Sequence, residues 1–106
     1  MRDLAIQEVE FDANGLVPCV VQNFESGKVL MLGYMNQESL ELTQSRQRVT
    51  FYSRSRQQLW EKGETSGNTL GLVDLSLDCD GDAILARVRP TGPTCHTGAE
   101  SCFEEA

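Results

Sequence analysis

At 106 residues the chain has the size of one domain, and a composition of 40% hydrophobic and 24% charged residues fits a globular protein and gives no support to disorder. A net charge of −7 leaves no broad basic face for nucleic acid or an anionic membrane, though an anionic small molecule stays admissible where arginines gather locally. No apolar run approaches the roughly 20 residues of a membrane span, and Met1-Arg2-Asp3-Leu4 does not open a secretory leader, so the expected compartment is the reducing cytoplasm, where four cysteines serve as thiols or metal ligands rather than disulfides.

There is no repeat, low-complexity tract or linker, and residues 1–106 are expected to form a single domain. Gly15-Leu16-Val17-Pro18 leads into Cys19-Val20-Val21, and Glu25-Ser26-Gly27-Lys28 provides a turn before Val29-Leu30-Met31-Leu32. Two partly β-branched apolar runs around a glycine-containing turn predict a hairpin. Cys19, within this valine-rich run, is expected to be a small core residue.

A helix is predicted over 36–46. Asn36 is a good N-cap, Glu38 stands in the first turn, Met35 and Leu40 have the spacing of a hydrophobic staple, and Arg46 suits the C-terminal end. Val49-Thr50-Phe51-Tyr52 reads as a strand, with Leu59-Trp60 in another. Gly63-Glu64-Thr65-Ser66-Gly67-Asn68 is a polar loop too long for a simple hairpin turn. Residues 70–77 and 83–88 are strand candidates, joined by the two-residue hairpin signal Asp80-Gly81. From Pro90 onward the chain becomes irregular. The expected class is α+β: a strand-rich, curled mixed sheet, pseudo-barrel-like and capped by one helix, with the strand order left open.

Three groups of residues carry chemistry. In Asp78-Cys79-Asp80-Gly81-Asp82 the alternation of a strand puts Asp78 and Asp80 on one face, and a turn at Asp80-Gly81 returns Asp82 beside them. Crowded carboxylates call for a compensating cation, although an acidic hairpin turn needs no function. An EF-hand is excluded, because its twelfth position is Arg89. Cys95-His96-Thr97-Gly98 with Cys102 forms the second group, either ligands or spare thiols beside a surface histidine, at a spacing that fits no common zinc knuckle. Thiolates suit zinc and carboxylates suit magnesium or calcium. Three thiolates leave one tetrahedral position open, as in a zinc that does chemistry. The leading class is therefore a metal-dependent hydrolase. Ser53-Arg54-Ser55-Arg56 is third. On an extended strand both guanidinium groups project to one side and can grip phosphate, or they form a solvated face. Trp60-Glu61-Lys62-Gly63-Glu64-Thr65-Ser66-Gly67 places an aromatic plane, charges and hydroxyls close by, as a substrate loop would.

Together with Gly33-Tyr34-Met35-Asn36 and the run from Gly92-Pro93-Thr94-Cys95 through Ser101-Cys102-Phe103, these segments closely resemble the phosphoribosyl-AMP cyclohydrolase family, which opens the adenine ring of N1-phosphoribosyl-AMP in histidine biosynthesis. The resemblance extends from Phe11 to Phe103. It implies zinc on Cys79, Cys95 and Cys102, one ion per subunit, with Cys79 and the other two contributed by different subunits of an intertwined homodimer. It also implies magnesium at Asp78, Asp80 and Asp82, and a small nucleotide as substrate. N1 substitution makes the purine electron-poor at C6, where water adds before the N1–C6 bond breaks.

Residue type then suggests His96 first and Glu64 second for proton transfer. Arg54, Arg56 and Lys62 are assigned to the substrate phosphates, and Trp60, Thr65 and Ser66 to further substrate contacts. Some members carry a fused C-terminal pyrophosphohydrolase domain; ending at Ala106, this chain is expected to lack that activity. The rivals are a structural zinc module, which needs a fourth protein ligand, and a zinc-dependent purine or nucleotide deaminase, whose usual His-x-Glu…Pro-Cys-x-x-Cys signature is missing.

Overall fold

The computed structural model describes residues 4–103; Met1-Arg2-Asp3, used above against a secretory leader, and the terminal Ala106 lie outside them. A short 3-10 turn, Ile6–Glu8, precedes strands β1 (Val17–Asn23) and β2 (Val29–Met35), helix α1 (Gln37–Arg46), and strands β3 (Thr50–Ser53), β4 (Gln58–Glu61), β5 (Leu70–Leu77) and β6 (Ile84–Pro90). The α+β class holds, and among the described residues no helix is long and apolar enough to cross a membrane.

Local sequence explains the first half. β1 and β2 form the expected antiparallel hairpin, with Val21 opposite Met31. Its turn is held by Asn23, whose Oδ1 accepts the Glu25 N–H at 2.8 Å. α1 begins where the cap predicts: Asn36 Oδ1 accepts the Ser39 N–H at 2.8 Å, and Ser39 Oγ accepts the Asn36 N–H at 2.9 Å. This reciprocal box satisfies two helix donors that would otherwise lack partners. The helix ends at Gln47, a left-handed residue with φ 58°.

β1 also pairs with β6 in parallel, and β6 with β5 antiparallel, giving a mixed four-stranded sheet in the order β2-β1-β6-β5. Its inner face carries Val17, Cys19, Val21, Met31, Met35, Ile84, Ala86 and Val88, all in the core. The sheet does not close, which corrects the pseudo-barrel expectation. β3 and β4 make a separate two-stranded ribbon that lies over the inner face instead of along the β2 edge. The reason is Gly33. A Cβ there would sit 2.7 Å from the Phe51 ring, so the missing side chain lets the Phe51 ring pack onto the β2 backbone. α1 adds Leu40 to this core, and Thr43 Oγ1 accepts the Thr50 N–H at 2.9 Å, fixing helix to ribbon. The outer face is more open: Leu32 is 45% exposed and pairs with half-buried Val20, itself beside Leu85.

Candidate functional site

The β5–β6 hairpin presents the carboxylates. Its last paired residues are Leu77 and Ile84, and the Asp78 N–H donates to the Ala83 carbonyl at 3.0 Å. The connection is therefore a longer loop than the two-residue turn expected at Asp80-Gly81. The Gly81 N–H closes a turn onto the Asp78 carbonyl at 3.1 Å, and Gly81 adopts φ 75°, which a glycine accepts without strain. The N-terminal segment lies on this loop: the Glu10 N–H donates to the Gly81 carbonyl at 2.7 Å. Sequence reading missed that strap, since nothing local links Glu10 to Gly81.

Within the loop, the Asp82 N–H donates to Asp78 Oδ1 at 3.0 Å, and Asp78, Asp80 and Asp82 offer oxygens within 4.8 Å of one another. Asp82 is pushed above the usual carboxylate range, first by its hydrogen bond with the Asp78 carboxyl and then by the charges of Asp78 and Asp80. For Asp78 the largest influence, desolvation, pushes upward, but hydrogen bonds from Asp82, Ala83 and Gly81 outweigh it and hold the carboxyl below its ordinary value. Three carboxylates crowded this closely are an oxygen set that could hold a hard divalent cation. Cys79 stands exposed in the same loop as a free thiol. A cavity of about 430 Å³ adjoins the loop, bordered also by Leu4, Glu8 and Glu10.

The other two thiols lie in the C-terminal tail. There the Cys95 N–H donates to the Ala99 carbonyl at 3.1 Å and the Gly98 N–H to the Cys95 carbonyl at 3.0 Å. Ser101 Oγ donates to the Val29 carbonyl at 2.7 Å, and the Cys102 N–H to the Leu30 carbonyl at 2.7 Å, pinning the tail to β2. Cys95 and Cys102 are thereby brought together. The Cys95 thiol is held below the ordinary thiol range, first by the Thr97 hydroxyl, which donates to Sγ at 3.2 Å, with help from Cys102 and the Lys62 charge. Cys102 is pushed up, first by desolvation and then by Cys95. Two neighbouring cysteine sulfurs are a donor pair of the kind zinc takes. Thr97, quoted in the Cys95-His96-Thr97-Gly98 run, was given no role by the sequence, and its contact with Cys95 Sγ appears only in the structure. Buried Cys19 is different, its thiol pushed up to about 12 by desolvation; it is the core residue expected.

Between the tail and the 63–68 loop lies a cavity of about 280 Å³, bordered by Trp60, Lys62, Thr65, Ser66, Cys95 and His96 among others. Trp60 packs on Phe51 with ring centroids 5.8 Å apart, and the Lys62 ammonium sits 5.4 Å from the Trp60 ring. Trp60 thus belongs both to the core edge and to the cavity wall. Exposed Glu64 lies in the bordering loop without lining the cavity.

One expectation needs correction. Arg54 and Arg56 are not on a strand: β3 ends at Ser53 and the two arginines fall in the β3–β4 turn. The Arg56 N–H donates to Ser53 Oγ at 3.3 Å, and Gln57 takes φ 52°, so the backbone curls out of strand geometry. The Arg54 guanidinium instead stacks 3.9 Å over the Tyr34 ring. The three cysteines, which the resemblance divides between two subunits, form no three-ligand cluster among the described residues of one chain. Cys79 lies beyond the Leu77–Ile84–Cys19–Gly33 row at the β5 edge, while Cys102 is anchored at Leu30 on the opposite edge strand. Five residues of strand rise separate the two levels, roughly 15 Å. Among the described residues, the only three-ligand cluster within one chain is the aspartate set.

Residues 31–104 match the family described as phosphoribosyl-AMP cyclohydrolase. A protein of that name from Prosthecochloris aestuarii is 52% identical over 92% of this chain and 72% of its own length. The histidine biosynthesis bifunctional protein HisIE of Vibrio parahaemolyticus is 58% identical over 86% of the chain, and that of Thermus thermophilus 56% identical over 95%. The chain spans 43% and 47% of those two bifunctional relatives. The family match over more than half of the chain and the relative at 52% identity show that the chain belongs to the phosphoribosyl-AMP cyclohydrolase family.

Proposed function

We propose that the chain hydrolyses the N1–C6 bond of the adenine ring of 1-(5-phosphoribosyl)-AMP, giving the phosphoribosylformimino-aminoimidazole carboxamide ribotide, as a cytoplasmic step of L-histidine biosynthesis. The carrying observation is Cys95, with Cys102 beside it, on the wall of a cavity that also presents Trp60, Lys62 and His96. Zinc bound there would activate water for addition at C6. The chain's own groups do the rest. Trp60 offers a flat surface to the purine, Lys62 compensates negative charge, and exposed His96 can exchange protons with solvent as the N1 leaving group departs. Glu64 is the second proton-transfer candidate.

The third thiolate comes, in this proposal, from Cys79 of a second copy in an intertwined homodimer. Two observations support it. Cys79 is free and exposed, yet about 15 Å of strand rise separates it from the tail thiols of its own chain. The outer sheet face around Leu32, Val20 and Leu85 is also apolar and uncovered, as a self-complementary interface would be. Asp78, Asp80 and Asp82 then bring magnesium beside the shared site. Arg54 and Arg56, at the ribbon turn, are assigned to the outlying substrate phosphate.

Purified protein should turn over phosphoribosyl-AMP, lose activity to a zinc chelator and regain it with zinc. Release of ammonia in step with turnover would identify a deaminase instead, and full activity after complete zinc removal would refute the metal assignment.

A further inference from the structure

Thr94 has no part in the chemistry assigned so far, yet its side chain is anomalous. The residue is 1% exposed, and its Oγ1 is the one buried side-chain oxygen or nitrogen among the described residues without a hydrogen-bond partner. Its backbone N–H is engaged, donating to the Glu100 carbonyl at 3.2 Å. Thr94 borders the cavity of Trp60, Lys62 and Cys95, directly before the Cys95 thiol. A threonine hydroxyl buried without a partner is destabilising, and such a group in a native protein is usually satisfied by something bound. An apolar residue of the same shape, valine, would fit the ligand-free fold better.

We propose that Thr94 is a substrate-binding residue whose hydroxyl bonds a heteroatom on the edge of the purine ring. This deepens, and rests on, the cyclohydrolase reading above. The flat surfaces of Trp60 and Pro93 border the cavity and suit a planar heterocycle. A hydroxyl both donates and accepts, so it can serve a ring nitrogen or the exocyclic nitrogen. Its position next to Cys95 places that contact at the ring edge that reacts. The ligand-free fold carries an unmet hydroxyl, and the bound nucleotide meets it.

Thr94→Val and Thr94→Ser separate this role from a structural one. In ligand-free protein, T94V should melt a few degrees above wild type, since it removes an unsatisfied group. It should keep the wild-type zinc content. With phosphoribosyl-AMP its KM should rise about tenfold, the loss of one hydrogen bond, with a smaller change in kcat. T94S should restore KM to within about twofold of wild type. A T94V protein that melts below wild type, that loses zinc while T94S keeps it, or whose KM is unchanged would overturn the assignment. Wild-type protein inert toward phosphoribosyl-AMP would instead sink the parent reading, and the ligand-free melting comparison would still judge the hydroxyl.

Discussion

Cys79→Ala combined in one preparation with the double variant Cys95→Ala/Cys102→Ala isolates the shared thiolate site. Two sulfurs on one tetrahedral zinc lie about 4 Å apart. Within one chain the Cys79 loop and the Leu30-anchored tail are set roughly 15 Å apart by strand rise alone, and both ends are tied down by backbone hydrogen bonds. Closing the gap inside a subunit would require tearing the tail from β2 or the loop from β6. Each variant alone should therefore be inactive, for want of either the partner's thiolate or its own pair. Co-refolded at equal amounts, random pairing makes about half of the dimers mixed, and each mixed dimer holds one complete site of two. Activity should return to about a quarter of wild type for the whole mixture, and about half for purified heterodimers. Turnover and zinc content are measured on heterodimers separated by two affinity tags. Inactivity of confirmed heterodimers would refute sharing across the interface.

Zinc-free protein should show ordered thiol reactivity. Cys95, held low by Thr97 and Lys62, alkylates from a lower pH than Cys102, which burial and Cys95 push up, and Cys19 stays unmodified until unfolding; peptide mass spectra against pH check this, and early loss of Cys19 would contradict it. Asp80→Asn should lower activity and magnesium dependence while zinc content stays near wild type, and parallel zinc loss would assign the aspartates to the thiolate site. Gly33→Ala drives a methyl to 2.7 Å from the Phe51 ring, whose residue is 1% exposed, and should cost about 1–3 kcal/mol in a denaturant melt; an unchanged midpoint would show that the ribbon slides freely on β2.

What the sequence revealed is what local chemistry controls. The β1–β2 turn and the α1 cap involve residues only a few positions apart, and both form as expected. The parallel β1–β6 pairing joins Cys19 to Ile84, and no local pattern announces a contact so distant. Ser53-Arg54-Ser55-Arg56 imitates the two-residue period of a strand, but the Ser53 hydroxyl and left-handed Gln57 turn it into a loop. Asp80-Gly81 was a sound turn signal, lengthened because the Gly81 carbonyl is also claimed by Glu10. The candidate ligand types were legible, as was their division into thiols and carboxylates. The separation of Cys79 from Cys95 and Cys102 came only from the family resemblance, because spacing does not reveal sheet order. Thr94 was invisible for a different reason: its significance lies in a missing partner, which only three-dimensional packing displays.

Turnover of phosphoribosyl-AMP in water enriched with heavy oxygen tests the central claim most directly. Addition of water at C6 with cleavage of N1–C6 predicts a product heavier than the substrate by one molecule of water, with both nitrogens retained and the label in the new carboxamide. A product that has lost the exocyclic nitrogen, or one with no label at that carbon, would contradict the account.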